Sequence, residues 1–494
     1  MEATLGGRVL GALLLVGVVG GGIWYANKKT NLSTKVVTAA GGDSINVGIN
    51  TWSGFAGLIA ANGGLEPNTD SKFFKEHKLL VKISIFDNPN DGKQAFQSGA
   101  IDTWQGTVDS IPVDASTMLP TGFKYFVQTD WSNGGDVIVA TDGIHNVAQL
   151  KGKTIAVAEG SPSHSLLLSV VKSGSIALSD LSIKKVSDGT EAAKLFKAGT
   201  VDAAVVWSPD DQDCLQAIKG STILVSTKKA SRIIADALYA KSSYISANRE
   251  KIKSLTEGIL NENALINSSE SERAEAVKIL ARSFNMKEPD AVLGISNARL
   301  TTYGDNVNFF GLNSGYSGVT GQELYDRMNT TYNEIGLAPA NNPNWRQIFD
   351  SSTLQDIHLV GAIHMAEAEP SFDKVSASVA QSKPVFSNKK LSVNFPLGSA
   401  VLTADAKNII RSNFSAFAKG FNNARILIEG NTDRTGSDSI NIPLSHNRAN
   451  SAKAFLVQNY GIDPNRVTVV GNGAKFASGD DAEDRRTDFK LLND

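Results

Sequence analysis

The sequence predicts an α/β protein of two separate folded parts that follow an apolar N-terminal segment. From Ser44 to about Met365, short strand-like runs alternate with helical stretches, which indicates parallel sheets with crossover helices. After an aperiodic stretch, a compact strand-helix-strand-helix-strand pattern runs from Leu391 to the end. The predicted organisation is an N-terminal segment at 1–27, a spacer at 28–43, a large domain at 44–365, a linker at 366–389 and a small domain at 390–494.

Composition excludes several classes of protein. The chain has 494 residues, of which 41% are apolar and 20% charged, so wholesale disorder is excluded. The net charge of −2 gives no basic excess for a nucleic-acid partner. The single cysteine, Cys214, excludes a disulfide within the chain and a cysteine-based zinc site, and we expect it to be buried as a small apolar residue. No metal site, cofactor or catalytic pair is predicted.

The N-terminal segment predicts a single-pass membrane anchor. The run from Val9 to Tyr25, VLGALLLVGVVGGGIWY, carries no charge and lies at the short end of a membrane span. Trp24 and Tyr25 stand where interfacial aromatic residues are common. A cleaved signal peptide and a buried soluble helix are the alternatives. No cysteine follows the run, which excludes a lipoprotein anchor.

The elements of the large domain follow from its periodicity. Six runs have the length and composition of strands: INVGIN, LVKISIF, DVIVAT, KTIAVAE, VDAAVVW and ADALYA. The stretches HSLLLSVVKSG, GTEAAKLFKAG and residues 248–285 have the pattern of helices.

A series of phrases in this domain carries a family resemblance. The phrases are VGINTWSGFAGLIAANGGL, FDNPNDGKQAFQSGAIDTWQGTVDSIP, WSNGGDVIVATDGIHNVAQLKGKTIAVAEGSPSHSLLL and AAKLFKAGTVDAAVVWSPD. In this order they resemble the periplasmic solute-binding proteins of ABC transporters of the nitrate/sulfonate/taurine type, with their thiamine-precursor relatives. The resemblance implies a type II periplasmic-binding-protein fold with a ligand cleft between two lobes. Lobe 1 would span about 44–140 and 234–365, and lobe 2 about 141–233, with hinge strands near Ala140 and Ala235.

The run EGSPSH predicts an anion site at a helix end. Ser161 suits the N-cap and the proline after it suits the first helical position. The N–H groups of Ser163, His164 and Ser165 would then be unpaired and, with the two hydroxyls and the helix dipole, could bind an anion. An ordinary capped helix is the alternative. Because Ser163 and His164 are adjacent on the helix, they do not face each other as a catalytic pair would.

Other cleft candidates stand at loops and strand ends. Trp52 lies in a strand-to-helix loop beside Ser and Gly, where an aromatic ring can form the wall of a small-ligand site. Six further residues lie at the ends of strand-like runs, and we expect about half of them to line the cleft while the others cap elements or contact the hinge: Thr107, Asp109, Trp131, Asp136, Trp207 and Asp236.

The small domain carries a second, specific motif. After the strand ILIEG come Asn431-Thr432-Asp433, then N-x-x-L-S-x-x-R-A from Asn441 to Ala449, and late in the chain DRRT. These residues resemble the OmpA-like peptidoglycan-binding domain, also found in the flagellar stator protein MotB. The family's GHTD and NRRV become GNTD and DRRT here, so Asn431 and Asp484 depart from the pattern.

This resemblance implies a clamp for the diaminopimelate of a peptidoglycan stem peptide. Asp433 would accept from the ligand ammonium, and Arg448 would bind its carboxylate in a planar fork. A helix from Pro443 to Gly461 would place Arg448 within reach, near the surface; a structural ion pair is the alternative. The implied peptidoglycan-binding set is Asp433, Arg448, Asn441, Leu444, Ser445, Arg485 and Arg486.

Together these expectations describe a receptor of the bacterial envelope. A peptidoglycan-binding domain must face the wall, so the anchor would lie in the inner membrane with the C-terminal domains in the periplasm. The cleft would capture a small anionic solute for a permease or a sensory partner. The alternative is a structural, stator-like protein in which the middle domain binds a membrane complex without transport.

Overall fold

The computed structural model describes residues 43–493, except Asn394, Leu397 and Asp480. The predicted anchor and almost all of the spacer lie outside the described residues. Within the part of the chain that the structure describes, no helix is long and apolar enough to cross a membrane.

The first lobe is built on a six-stranded mixed sheet with the order β11-β4-β10-β3-β1-β2. Strand β1 is parallel to β2 and β3, whereas β10 runs antiparallel to both β3 and β4. Numbered in chain order, its strands are β1 (Asp43–Ile49), β2 (Leu79–Ile85), β3 (Thr103–Thr107), β4 (Phe123–Ser132), β10 (Ala235–Lys241) and β11 (Ala298–Leu300).

The second lobe is built on a five-stranded sheet with the order β7-β6-β8-β5-β9. Strands β6, β7 and β8 are parallel, and β5 runs antiparallel to its neighbours. The strands are β5 (Asp136–Ala140), β6 (Thr154–Ala158), β7 (Ser182–Val186), β8 (Ala203–Trp207) and β9 (Thr222–Ser226). All six runs predicted as strands in the large domain are confirmed.

The boundary between the lobes differs from the predicted one. Because β5 pairs with β8 and β9, it belongs to the second sheet, and the first crossover lies between Ser132 and Asp136 rather than near Ala140. The return crossover lies between Ser226 and Ala235. Its end at Ala235 agrees with the hinge predicted near that residue. The two crossovers touch, since the hydroxyl of Thr227 accepts the N–H of Gly134 at 2.8 Å.

Helices cover both sheets, and the predicted helical stretches are confirmed. The stretch 248–285 forms two helices rather than one, because Ser269 caps the second by accepting the N–H of Glu272. The helices before the linker are α1 (Ala56–Asn62), α2 (Lys72–His77), α3 (Pro89–Ser98), α4 (Ala115–Met118), α5 (Pro162–Ser173), α6 (Gly189–Lys197), α7 (Asp210–Ala217), α8 (Ser242–Ala247), α9 (Arg249–Ser268), α10 (Glu270–Phe284), α11 (Glu288–Ser296), α12 (Tyr303–Phe309), α13 (Gly321–Glu334) and α14 (Ser352–Asp356). Cys214 on α7 is buried, as expected.

The C-terminal domain is a four-stranded sheet with the order β12-β15-β13-β14. Its strands are β12 (Val385–Leu391), β13 (Arg425–Gly430), β14 (Val467–Gly471) and β15 (Thr487–Leu492), and its helices are α16 (Ala404–Ile410), α17 (Ala416–Gly420), α18 (Asp438–Tyr460) and α19 (Asp481–Asp484). The predicted linker is wrong at its end: it contains α15 (Ala377–Ser382) and most of β12. Strand β12 is polar because it lies at the edge of the sheet and only part of it faces the core.

The C-terminal domain packs against both lobes. One apolar cluster joins core residues of the second lobe, such as Leu167 and Ile233, to Phe386 and Phe421 of the C-terminal domain. Lys389 Nζ donates to the carbonyl oxygen of Lys172 on α5 at 2.8 Å. On the first lobe, the contact is an ion pair of 2.9 Å between Lys419 and Glu323, on α13.

Candidate functional site

A chain of three polar side chains joins elements of the second lobe. The indole Nε1 of Trp207, at the end of β8, donates to Ser163 Oγ at 3.0 Å. Ser163, in the first turn of α5, donates in turn to Asp136 Oδ1 at 2.8 Å. Asp136 and Ser163 are buried, whereas Trp207 is 41% exposed, so its ring forms an accessible wall above a buried polar base.

Trp52 approaches the same region from the first lobe. Its indole Nε1 donates to Asp130 Oδ2 at 3.1 Å. A Cβ on Gly135 would collide with the Trp52 ring, so the first crossover passes directly against it. The structure therefore brings Trp52, Asp136, Ser163 and Trp207 together around the first crossover.

Four buried aspartates meet where the crossovers join the sheets. Asp236 on β10 lies opposite Asp130 on one side and Thr107 on the other, and Asp109 Oδ1 accepts the N–H of Ala235 at 3.2 Å. Burial raises the pKa of Asp109 and of Asp130 to about 7. Burial, with repulsion from the other three carboxylates, raises the pKa of Asp236 well above its ordinary value.

The pKa of Asp136 is raised less than that of the other three aspartates in this cluster. Burial raises its pKa to about 6, while hydrogen bonds from Ser163, Ser132 and Trp207 act in the opposite direction. Near neutral pH, Asp136 is therefore largely ionised, and it is an acceptor for hydrogen-bond donors.

The start of α5 differs in detail from the predicted anion site. Ser161 is the N-cap residue, but its hydroxyl donates to the carbonyl of Ala158 and the N–H of Ser165 donates to the carbonyl of Ser161. Burial lowers the pKa of His164 to about 4, so its ring is neutral at pH 7, and its Nδ1 accepts the N–H of Gly160. In the described hydrogen-bond network, only the N–H groups of Ser163 and His164 remain as donors at this end.

Two predicted cleft residues lie elsewhere. Successive residues of a strand point to opposite faces, so Trp131 points away from its neighbour Asp130. Its ring packs edge-on against Phe309 and under the guanidinium of Arg232, in the interior of the first lobe. Thr107 is buried and shares a hydrogen bond of 2.6 Å with Ser110, which makes it a loop contact.

Sequence reasoning missed four residues that support the cleft. Ser132 bonds Asp136 and Thr227 at the crossing of the two connections. The hydroxyl of Tyr332 on α13 shares a hydrogen bond of 2.8 Å with the hydroxyl of Ser165 and donates to the carbonyl of Ser161 at 3.2 Å. Tyr332 therefore joins α5 to the first lobe. Asp130 was detectable from alternation, since it neighbours Trp131 on the opposite face of β4; the other residues carry no local signal.

In the C-terminal domain, Asp433 and Arg448 are not paired directly. Asp433 Oδ2 accepts from Arg485 Nη1 at 2.7 Å. Although partial burial raises it, hydrogen bonds from Arg485 and Thr435 leave the pKa of Asp433 below its ordinary value. Arg448 stacks on Phe395, at 4.9 Å from the ring centre, and its Nε donates to the carbonyl of Ser399 at 3.1 Å.

The expected surface position of this pair is wrong. Asp433 is 9% exposed and Arg448 is 8% exposed, and Phe395 and Ser399 lie against the arginine. Helix α18 also begins earlier than predicted, at Asp438, and contains Pro443, whereas its end at Gly461 is confirmed. The earlier start extends the helix toward the Asp433 loop.

The remaining motif residues shape the loop and the helix. Asn441 donates to the carbonyls of Thr435 and Gly436, and Ser445 Oγ accepts the N–H of Gly473 at 3.0 Å. Leu444 is half-buried beside them. Arg486 bonds Asp488 at 3.2 Å, so it belongs to a structural ion pair on β15.

Two family models match separate parts of the chain. Residues 68–262 match the family described as NMT1/THI5 like, and residues 394–488 match the OmpA family. Outer membrane porin F of Pseudomonas aeruginosa is 37% identical over 79 residues, which cover 16% of this chain and 21% of that protein. A Brucella abortus protein whose name describes a binding protein is 24% identical over 204 residues, 41% of this chain and 60% of that protein.

The chain thus spans about a fifth of the length of the first relative and less than two thirds of the second. Among solved structures, the periplasmic aliphatic sulphonate binding protein SsuA of Escherichia coli matches with a TM-score of 0.50 at 19% identity, covering 62% of this chain and 97% of that one. This likeness shows the two-lobed fold. The chain therefore joins a region that matches the NMT1/THI5-like family, within a two-lobed domain with the fold of a periplasmic binding protein, to a C-terminal region that matches the OmpA family.

Proposed function

We propose that this protein is a cell-wall-tethered receptor that captures a small polar solute between its two lobes. The observation that carries the proposal is the Trp207–Ser163–Asp136 chain, which places an exposed aromatic wall over a buried hydrogen-bonding base. The captured solute would pass to an ABC-type permease or be reported to a sensory partner. The binding-protein fold and the NMT1/THI5-like match support this role.

The geometry of the cleft argues against the simple anion that the sequence predicts as the solute. A simple anion at the start of α5 would meet the free N–H groups of Ser163 and His164, but also the carboxylate of Asp136. His164 is neutral and adds no compensating charge. A solute with an acidic group for the N–H groups and an amine or hydroxyl for Asp136 satisfies both sides, so we propose a zwitterion or an acid that also carries a hydroxyl group.

Two chemically matched probes test this choice. 2-Aminoethanesulfonate and ethanesulfonate share the acidic group and differ only in the amine. Calorimetric titration of the full chain should give tighter binding of the amine-bearing probe, and Asp136→Asn should remove that preference. Tighter binding of ethanesulfonate would restore the simple anion as the preferred solute.

The cleft itself is tested by Ser163→Ala. Loss of the hydroxyl removes the acceptor of Trp207 and one donor of Asp136, so we expect solute affinity to fall by about 1.5–3 kcal/mol. Ser187→Ala, on an exposed loop of the same lobe, is the matched control. No heat with sulfonates, nitrate, phosphate or pyrimidines would instead favour the structural, stator-like role, which the contacts of the C-terminal domain with both lobes would suit.

For the C-terminal domain we propose non-covalent binding of peptidoglycan of the diaminopimelate type. The OmpA-family match and the closeness of Asp433, Arg485 and the start of α18 support this proposal. We further propose that the N-terminal segment anchors the chain in the inner membrane and that both described domains lie in the periplasm. Fractionation of cells that express the full chain, followed by carbonate extraction of membranes, tests that location.

A further inference from the structure

A cavity lies where the C-terminal domain meets the two-lobed domain. Its volume is about 110 Å³, and its walls come from the return crossover, the first lobe, the segment 369–372 and the C-terminal domain. The charged side chains in its walls are Arg232, Lys419, Arg466, Glu369 and Asp463. It is separate from the Trp207–Ser163–Asp136 cleft, since none of those three residues lines it.

Arg232 is the unusual member of this set. Its residue is only 4% exposed, yet the described hydrogen bonds of its guanidinium consist of one, from Nη1 to the carbonyl of its own neighbour Ser231 at 3.2 Å. It stacks over the ring of Trp131, and no carboxylate of the described chain lies within ion-pair distance. Asp305 interacts with it electrostatically but accepts no described hydrogen bond from it, so the remaining donors of this buried guanidinium call for an acceptor.

The two carboxylates of the cavity do not supply that acceptor. Glu369 accepts from Asn422 at 2.6 Å and from the hydroxyl of Tyr316 at 3.3 Å. Asp463 accepts the backbone N–H groups of Phe372 and Asn465. Each of their oxygens thus already accepts a hydrogen bond on the cavity wall, and none of these bonds comes from Arg232.

The other two cations of the cavity are engaged in contacts of their own. Arg466 is buried, donates to the carbonyls of Ala424 and Phe421, and interacts electrostatically with Glu369 and Asp463. Lys419 is paired with Glu323, which stands outside the cavity walls. Arg232 is therefore the cation of the cavity that keeps unused donors, and a planar guanidinium with free donors suits a small oxyanion.

We propose that this junction cavity binds a small oxyanion, a carboxylate or an inorganic oxyanion, with Arg232 as its principal ligand. Because the walls come from both domains, the bound anion fixes the C-terminal domain against the receptor. Such an anion is an effector of the domain junction and is independent of the solute in the cleft.

Calorimetric titration of the full chain tests the site with acetate, inorganic phosphate and sulfate as probes, with chloride at equal ionic strength as the reference. We expect saturable binding of at least one oxyanion, and the strongest probe distinguishes a carboxylate from an inorganic source. Arg232→Gln should weaken that binding by about tenfold or more, through loss of charge-assisted hydrogen bonds. Lys219→Gln, an exposed cation on the second lobe, should bind like the parent.

Three further measurements test the assignment to Arg232. Arg232→Lys retains the charge without the fork and should rescue only part of the affinity. Tryptophan emission should change on anion binding in the parent but not in Trp131→Phe, because the guanidinium stacks on that ring. Ser163→Ala, which alters the cleft and adds no site for an anion, should bind the oxyanion normally, which separates this site from the cleft. Absence of saturable oxyanion binding, or equal binding by a folded Arg232→Gln, overturns the proposal.

Discussion

Asp433 accepts a hydrogen bond from Arg485 at 2.7 Å, whereas Arg448 donates to the carbonyl of Ser399. The carboxylate half of the proposed clamp is thus held by a side chain that is half-exposed, and the guanidinium half stacks on Phe395. A ligand ammonium would compete with Arg485 for Asp433, and a ligand carboxylate would compete with the carbonyl of Ser399 for Arg448.

The first prediction concerns the wall. Asp433→Ala and Arg448→Ala in the full chain should each lower binding to diaminopimelate-type peptidoglycan by about 2–5 kcal/mol, since each leaves one charge of a zwitterionic ligand unpaired. Co-sedimentation with purified peptidoglycan measures this. Arg411→Ala, an exposed arginine of the same domain, should bind like the parent. A folded double variant that sediments as well as the parent would contradict the clamp.

The second prediction separates the two arginines. Arg485→Ala removes the present partner of Asp433 without opening the core, since its side chain is half-exposed. If Arg485 only holds Asp433 in place, peptidoglycan affinity should fall less than in Arg448→Ala, and Arg485→Lys should restore most of it. Arg448→Lys should restore less, because a point charge cannot reproduce the planar fork. The reverse order would make Arg485 the ligand arginine.

The elements of both domains were predictable where sequence periodicity reflects burial. Strands such as β6 and β8 are continuous apolar runs because both faces of their sheet are covered, so their composition alone indicates them. Strand β12 was missed because VFSNKKL reads as polar: an edge strand needs few apolar residues, and only its pairing with β15 defines it.

The candidate sites were predictable as positions but less so as contacts. Trp52, Asp136, Ser163 and Trp207 could be identified because strand ends and helix starts meet at one edge of a sheet. The side-chain partners could not: whether Asp433 bonds Arg448 or Arg485 depends on the fold of distant loops. The junction around Arg232 depends on the packing of one domain on another, which no local pattern of residues records.

The third prediction concerns pH. The folded pKa of Asp136 is about 6, above the ordinary value of 3.8, so between these values the folded state binds more protons than the unfolded state. Stability from this group is therefore present at low pH and is lost as pH rises through about 6. Asp136→Asn lacks this loss and should gain up to about 3 kcal/mol relative to the parent between about pH 4 and pH 7.5.

Urea unfolding at the two pH values measures this difference. Asp142→Asn, which removes an exposed carboxylate of the same lobe, is the matched control. A pH-independent difference between Asp136→Asn and the parent would show that the carboxyl group is not perturbed in the folded chain.

The last prediction concerns the contact between the domains. One apolar cluster runs from the second lobe into the C-terminal domain, so these two parts should unfold in a single calorimetric transition. Phe386→Ala, at a fully buried position of β12 within that cluster, should cost about 3–5 kcal/mol and lower the melting temperature of both parts together. Phe476→Ala removes the same ring from a position that is 50% exposed and should have little effect. If Phe386→Ala instead lowers one transition and leaves a second unchanged, the cluster does not couple the domains, and the C-terminal domain folds independently of the receptor.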